Sequence, residues 1–432
     1  MRKWLSVLIL LVLLSANAYA TPVNYSGLET GDSAEAQSTT GTASISTTTV
    51  RTGTYALRTN PATTGTGNYR FAKMSAAGVP TTSFGTANLY SDFYFRYATK
   101  PAASDEEMYV VLDTSGTAKA FLRLNSSGNI VVYDNAVAAQ CTGTTALSSG
   151  TWYSIRFRTS TGAGSTAYSL AVDGVDQGCS ATMSQGSTNH GSVRLGKGTN
   201  RNGQSIDFFY DDWVVDDTAF TGAHKVLRIA PTGNGSTAQW TSRDATCSGT
   251  PANCYLQVDE VPTDGATTFI GSNGSAGQVN LVALQDSATV GISGSIYAAK
   301  CWSNHRENSA FTSALRVRMR SSSTNSDTST EDAGTTFVNR FILSATDPAT
   351  SGSWSTSSID ALECGVLDDN AGADDQSTAS GFVLFDDSAA PTNTPTPTNT
   401  PTNTPTPTAT PTDTPTPVPS IVRLLTSTGV GQ

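Results

Sequence analysis

Charge is scarce in this 432-residue chain: only 14% of positions are Asp, Glu, Lys or Arg. The charges present lean acidic, with 35 Asp and Glu against 25 Lys and Arg, for a formal net charge of −10. No stretch forms a basic stripe. Phosphate neutralisation dominates nucleic-acid affinity, so the chain is not expected to bind nucleic acid. Histidine is rarer still. His190, His224 and His305 lie far apart in sequence, and nothing favours a zinc site or a His-based triad. There is no CxxC pair to suggest a zinc ribbon or a redox motif. After the first 20 residues no run of 18 apolar residues occurs, so no membrane span is expected there. No window of a dozen residues carries convincing helical periodicity, which argues against helical architectures.

What is abundant is Ser, Thr and Gly, with enough aromatics (8%) for a core. That is the habit of extracellular all-β proteins. Residues 1–20, MRKWLSVLILLVLLSANAYA, have a basic start, an apolar run and an Ala-Tyr-Ala end. This is the pattern of a cleaved secretory signal peptide, and it predicts a secreted or cell-surface protein. Six cysteines fall in the mature part. Export favours disulfides over metal binding. If each half closes its own bridges, Cys141–Cys179 is forced. Three pairings stay open for the other four, of which Cys247–Cys254 and Cys301–Cys364 are preferred.

Segments such as TWYSIRFRTST alternate: Tyr153, Ile155 and Phe157 face one way, Ser154, Arg156 and Arg158 the other. A period of two marks a half-buried antiparallel strand. Short strands with glycine turns recur to about residue 388, so the predicted fold class is all-β, two tandem antiparallel β-sandwiches. The expected division is a first domain at 21–222 and a second at 223–388. Residues 389–420 form a Thr/Pro-rich stalk that holds more than half of the 18 prolines. Proline removes a donor and fixes φ, so an extended spacer is expected. The last twelve residues, 421–432, cannot bury a core, and the expectation is that the reading frame is cut short there.

The opening Glu29-Thr30-Gly31-Asp32, the strand TGTYALRTN, the hairpin LRLNSSGNIVVYDN, the pair GTWYSIRF and AYSLAVDGV, and the closing IDFFYDDWVVDD occur in an order that resembles the concanavalin A-like, laminin-G-like jelly-roll superfamily. The resemblance covers the first domain and implies a jelly roll. It does not fix a function, because the superfamily includes lectins, adhesion modules, hydrolases and lyases. Retaining hydrolysis in this fold needs carboxylates on one face in an E-x-D-x-E type of pattern, which is missing. Asp105-Glu106-Glu107 is consecutive and alternates faces in a strand. The Q-I-H element of the alginate-lyase branch is missing as well.

Two routes to a ligand follow. The superfamily holds calcium with rim carboxylates, which points to Asp211 or Asp212 with a distant loop carboxylate such as Asp32. Aromatic faces and polar strand residues recognise sugars, which points to Arg123, Asn125, Tyr133, Arg156 and Arg158. Each Trp is expected to be a core residue. The preferred functional expectation is a secreted or surface-displayed bacterial carbohydrate-binding or adhesion protein without catalysis, its partner a polysaccharide or cell-surface glycan. A structural surface or appendage component with no glycan ligand, and with a surface protein as its possible partner, is the alternative. A polysaccharide hydrolase or lyase with an atypical site is the second alternative.

Overall fold

A computed structural model describes residues 22–59, 66–73, 78, 83–102, 104–198, 206–242, 251–264, 267–272, 275–307, 315–330, 334–369 and 376–386. The predicted leader, stalk and tail and Cys247 lie outside them. The described chain is all-β, as the alternation predicts, with four antiparallel sheets and only short helical turns such as Ser287–Val290 and Thr356–Asp360. Residues 22–216 build a nine-stranded and a seven-stranded sheet. Strand order is non-sequential: Asn88–Tyr97 lies between Tyr153–Ser160 and Phe208–Asp216 in the nine-stranded sheet. This is a sandwich consistent with the expected jelly roll. Residues 224–386 build a six-stranded and a five-stranded sheet.

Alternation places Ile155 and Phe157 in the first core and Arg156 and Arg158 outside it. Rings fill the gap between its sheets: Phe93 stacks on Tyr109 at 5.0 Å and Phe71 on Trp213 at 4.6 Å. Trp213, Trp240, Trp302 and Trp354 are buried as expected, whereas Trp152 is half-exposed. Cys141–Cys179 (Cα–Cα 5.6 Å) staples the Ala139–Thr142 strand to the other sheet's edge. Cys301–Cys364 (Cα–Cα 5.4 Å) joins the two sheets of the second sandwich. Loops of 38 and 63 residues would each restrict the unfolded chain by about 4 kcal/mol. Cys254 is also disulfide-bonded.

The sandwiches pack together within one compact unit. Tyr25 and Val214 from the nine-stranded sheet meet Val226, Ala298, Trp302, Phe341 and Leu384 from the six-stranded sheet. Gly27 allows the approach, because a Cβ there would lie 2.9 Å from Val226 O. Lys300 is 0% exposed and reaches across this joint. Its Nζ donates to Glu35 Oε2 at 2.5 Å and to Tyr25 O at 2.7 Å. The rings of Tyr25 and Phe341 flank it at 4.7 and 5.1 Å. Burial pushes the ammonium below its ordinary pKa while Glu35 pulls it back up.

Removing one partner of such a pair leaves a buried uncompensated charge, which costs about 3–5 kcal/mol. Glu35→Gln is therefore expected to lower urea stability by that order. The double variant Glu35→Gln/Lys300→Met is expected to recover most of the loss. Equal destabilisation by both would contradict the pairing.

Candidate functional site

The outer face of the seven-stranded sheet carries a row of cross-strand neighbours. Register places Ser38, Arg70, Arg194, Val110, Phe121, Tyr133 and Ala139 side by side on successive strands. Seven strands at about 4.8 Å spacing make a face roughly 29 Å wide. Tyr69-Arg70-Phe71 and Val193-Arg194-Leu195 share one pattern, an arginine between two core side chains. The pleat therefore turns both guanidinium groups outward as direct neighbours. Like charges in that position repel. Arg194 has Glu107 as a partner, Nη2 to Oε1 at 2.7 Å, but its buried Nε has no acceptor among the described residues. Arg70 has none: its one side-chain hydrogen bond among the described residues is Nε to Ser192 Oγ at 2.6 Å. Burial and the adjacent Arg194 push the Arg70 guanidinium below its ordinary pKa.

Beyond the arginines the row becomes apolar and aromatic. Val110, Leu112 and Phe121 form a small outer cluster against which Tyr133 packs. Tyr133 donates to Asp105 Oδ2 at 2.5 Å, and Arg123 lies over its ring at 4.1 Å. Burial and Asp105 push the phenol's pKa up. Glu106 and Glu107 do alternate faces. Glu106 lies 2.8 Å from Lys197 and pairs in register with the core residue Leu124, while Glu107 stands opposite Arg123 on the outer face.

The five sequence-derived glycan candidates do not share a face. Arg123 and Tyr133 belong to the seven-stranded sheet, and Arg123 is buried rather than exposed, because Tyr133 and Phe121 pack on it. Asn125 closes the hairpin: its Oδ1 accepts from Ser127 N and Asn129 N, both at 2.9 Å. Arg156 and Arg158 lie on the nine-stranded sheet, where Arg156 pairs with buried Asp92 at 3.1 Å and Arg158 lies 5.3 Å over Tyr90. Arg70 and Arg194 were missed by sequence reasoning. The sign that could have found them was the arginine framed by two large apolar residues.

The carboxylates expected to hold calcium each have protein partners among the described residues. Calcium takes six to eight oxygens. A bulge at Asp212 (φ 46°) turns its side chain toward the joint. There it accepts from Thr52 Oγ1 at 2.6 Å, Val226 N at 2.7 Å and Arg51 Nη1 at 2.6 Å. Asp211 accepts from Arg51 N at 2.7 Å, Thr52 N at 3.2 Å and Asp212 N at 2.8 Å. Asp32 caps its own turn through Ala34 N at 2.8 Å. Among the described residues no group of three or more His, Cys, Asp or Glu is placed to hold a metal. These side chains instead knit the opening Glu29 element and the closing strand to the second sandwich. Glu29 accepts from Thr54 N and Tyr55 N at 3.0 and 3.1 Å. Burial first, and then Asp212 and Glu35, push its carboxyl up to about 8. Burial and Asp212 likewise raise Asp211.

No protein-family model matches the chain, and no curated protein is significantly similar in sequence. Solved structures with partial likeness include a cellulose induced protein, Cip1 (15% identity, 43% of this chain and 88% of that one, TM-score 0.35). An endo-β-1,4-glucuronan lyase from the fungus Trichoderma reesei matches at 13% identity over 46% of this chain and 96% of its own (TM-score 0.33). An alginate lyase from Corynebacterium sp. matches at 13% identity over 37% and 76% (TM-score 0.29). These likenesses are distant.

Glu29 sets a pH dependence. Folded it titrates near 8 and unfolded near 4.5. Between those values the native state holds the proton that the unfolded state has lost, so this group's contribution to stability falls as pH rises. Glu29→Gln keeps an oxygen for the Thr54 and Tyr55 amides and cannot ionise. Its stability relative to wild type is expected to rise from about pH 5 to about pH 8. The depressed buried histidines, His190 (about 4) and His305 (about 3), affect both proteins alike and cancel. A difference flat across that window, measured by urea unfolding, would contradict the assignment.

Proposed function

We propose that this chain is a secreted or surface-displayed protein that binds an extended acidic polysaccharide on the outer face of its seven-stranded sheet, without cleaving it. The observation that carries the reading is the Arg70–Arg194 pair. Two adjacent guanidinium groups, one with no carboxylate partner among the described residues, are repulsive alone and satisfied by an anion. Guanidinium geometry matches carboxylates and sulfates bidentately. The half-buried ring of Tyr133, packed on the covered Phe121, gives a sugar ring an apolar surface. Useful affinity follows from several such contacts along the row, since each neutral hydrogen bond nets only about 1 kcal/mol. The two described disulfides suit an oxidising extracellular setting. Among the described residues no helix is long and apolar enough to cross a membrane.

The absence of cleavage is supported by how the nearby acid–base groups are used. Glu107 is tied to Arg194 and to Gly198 N at 2.7 Å, and the Tyr133 phenol is a poor base with its raised pKa. A general base needs a pKa near the working pH.

Binding of polygalacturonate to the full chain, measured by calorimetry, tests the proposal. Charge-assisted hydrogen bonds contribute about 1.5–3 kcal/mol each, so Arg70→Ala/Arg194→Ala is expected to weaken binding at least about tenfold per guanidinium. Arg156→Ala/Arg158→Ala is expected to bind as wild type, and no new reducing or unsaturated ends are expected. Wild-type affinity in the first variant, or no binding of polygalacturonate at all, would overturn the reading.

A further inference from the structure

A second, separate cavity opens between the two sandwiches, a cleft of about 700 Å³. Glu29 and the Gly53–Tyr55 segment line it from the first sandwich, and Leu227, Arg228, Asp259, Gln285 and Val290 from the second. Room at its wall depends on Gly53. At φ +64°, a Cβ there would lie 2.2 Å from Glu29 Oε1, so the bare backbone leaves that carboxyl facing the cleft.

The polar groups are balanced in charge. Arg228 supplies one guanidinium, positioned by its Nη2 donating to Asp259 O at 2.8 Å, and the Asp259 carboxylate opposes it. Glu29 titrates near 8, so it is mostly uncharged at neutral pH and offers an O–H as well as an acceptor. Gln285 accepts from Ala230 N at 3.0 Å through Oε1, while its amide N–H groups take no acceptor among the described residues. Leu227 and Val290 add apolar surface. An ion entering such a cleft would lose hydration without finding a net countercharge. A molecule that is uncharged, rich in hydroxyls and has an apolar ring face meets every group present.

We infer that this cleft is a second binding site, for a neutral oligosaccharide of two or three units, independent of the polysaccharide face. So few neutral hydrogen bonds correspond to a Kd of about 1 mM.

The test is calorimetric titration of the full chain with cellotriose, xylotriose and maltotriose, each to about 10 mM. At least one is expected to saturate near 1 mM. Val290→Trp, which fills the cleft, and Arg228→Gln, which removes its cation, are each expected to weaken that binding about tenfold or more. Arg228→Gln keeps the test open should the larger side chain impair folding. Arg70→Ala/Arg194→Ala is expected to bind the trisaccharide as wild type, which separates this site from the acidic-polysaccharide face. The inference is overturned if no trisaccharide saturates, if both cleft variants bind normally, or if only the sheet-face variant loses binding.

Discussion

Lys300 places an ammonium group where no solvent reaches it, and the arrangement of the two sandwiches depends on how that charge is met. Glu35 and the carbonyl of Tyr25 accept its hydrogen bonds, and two aromatic rings flank it. All three first-sandwich groups come from the short opening stretch between Tyr25 and Glu35 or pack directly upon it. The pair holds that stretch against the six-stranded sheet. Asp212 adds a second tie, reaching across to Val226 N. A buried ion pair is weak evidence of net stability, since apolar replacements often do as well. Its stronger effect is on geometry, because one register alone brings acid to amine.

That joint decides which surfaces remain for function. The nine-stranded sheet uses part of its outer face, around Tyr25 and Val214, to receive the second sandwich. Arg156 and Arg158 there are engaged with Asp92 and Tyr90. Among the described residues the seven-stranded sheet contributes no side chain to that cluster, and Arg70 there has no carboxylate partner. Two adjacent guanidinium groups that share one carboxylate among the described residues are the kind of exception that binding explains. The same joint leaves the cleft beside Glu29, so the packing that removes one surface creates another.

Much of the fold was legible because alternation is a local signal. Tyr153, Ile155 and Phe157 declared their strand, the same reading found the sandwich architecture, and the expectation that each half closes its own bridges gave Cys141–Cys179. The site was less legible because it depends on register between distant strands. Nothing in residues 68–71 or 192–195 alone reveals that Arg70 and Arg194 become neighbours. Arg123 and Arg156 look alike in sequence, each flanked by apolar residues. Yet one is covered by Tyr133 on one sheet, and the other pairs with Asp92 on the opposite sheet. The Asp211–Asp212 pair in the closing strand suggested calcium because the resembling superfamily holds that ion with rim carboxylates. A bulge in the closing strand instead turns Asp212 toward the backbone of the second sandwich.

The central claim is that the seven-stranded sheet is the ligand face because the nine-stranded sheet serves the joint. Hydrogen–deuterium exchange of the full chain, with and without saturating polygalacturonate, tests it most directly. Protection is expected in Gly67–Phe71, Ala118–Leu124, Ile130–Tyr133 and His190–Lys197, with Tyr153–Ser160 unchanged. Protection confined to Tyr153–Ser160 and its neighbours on the nine-stranded sheet would contradict it.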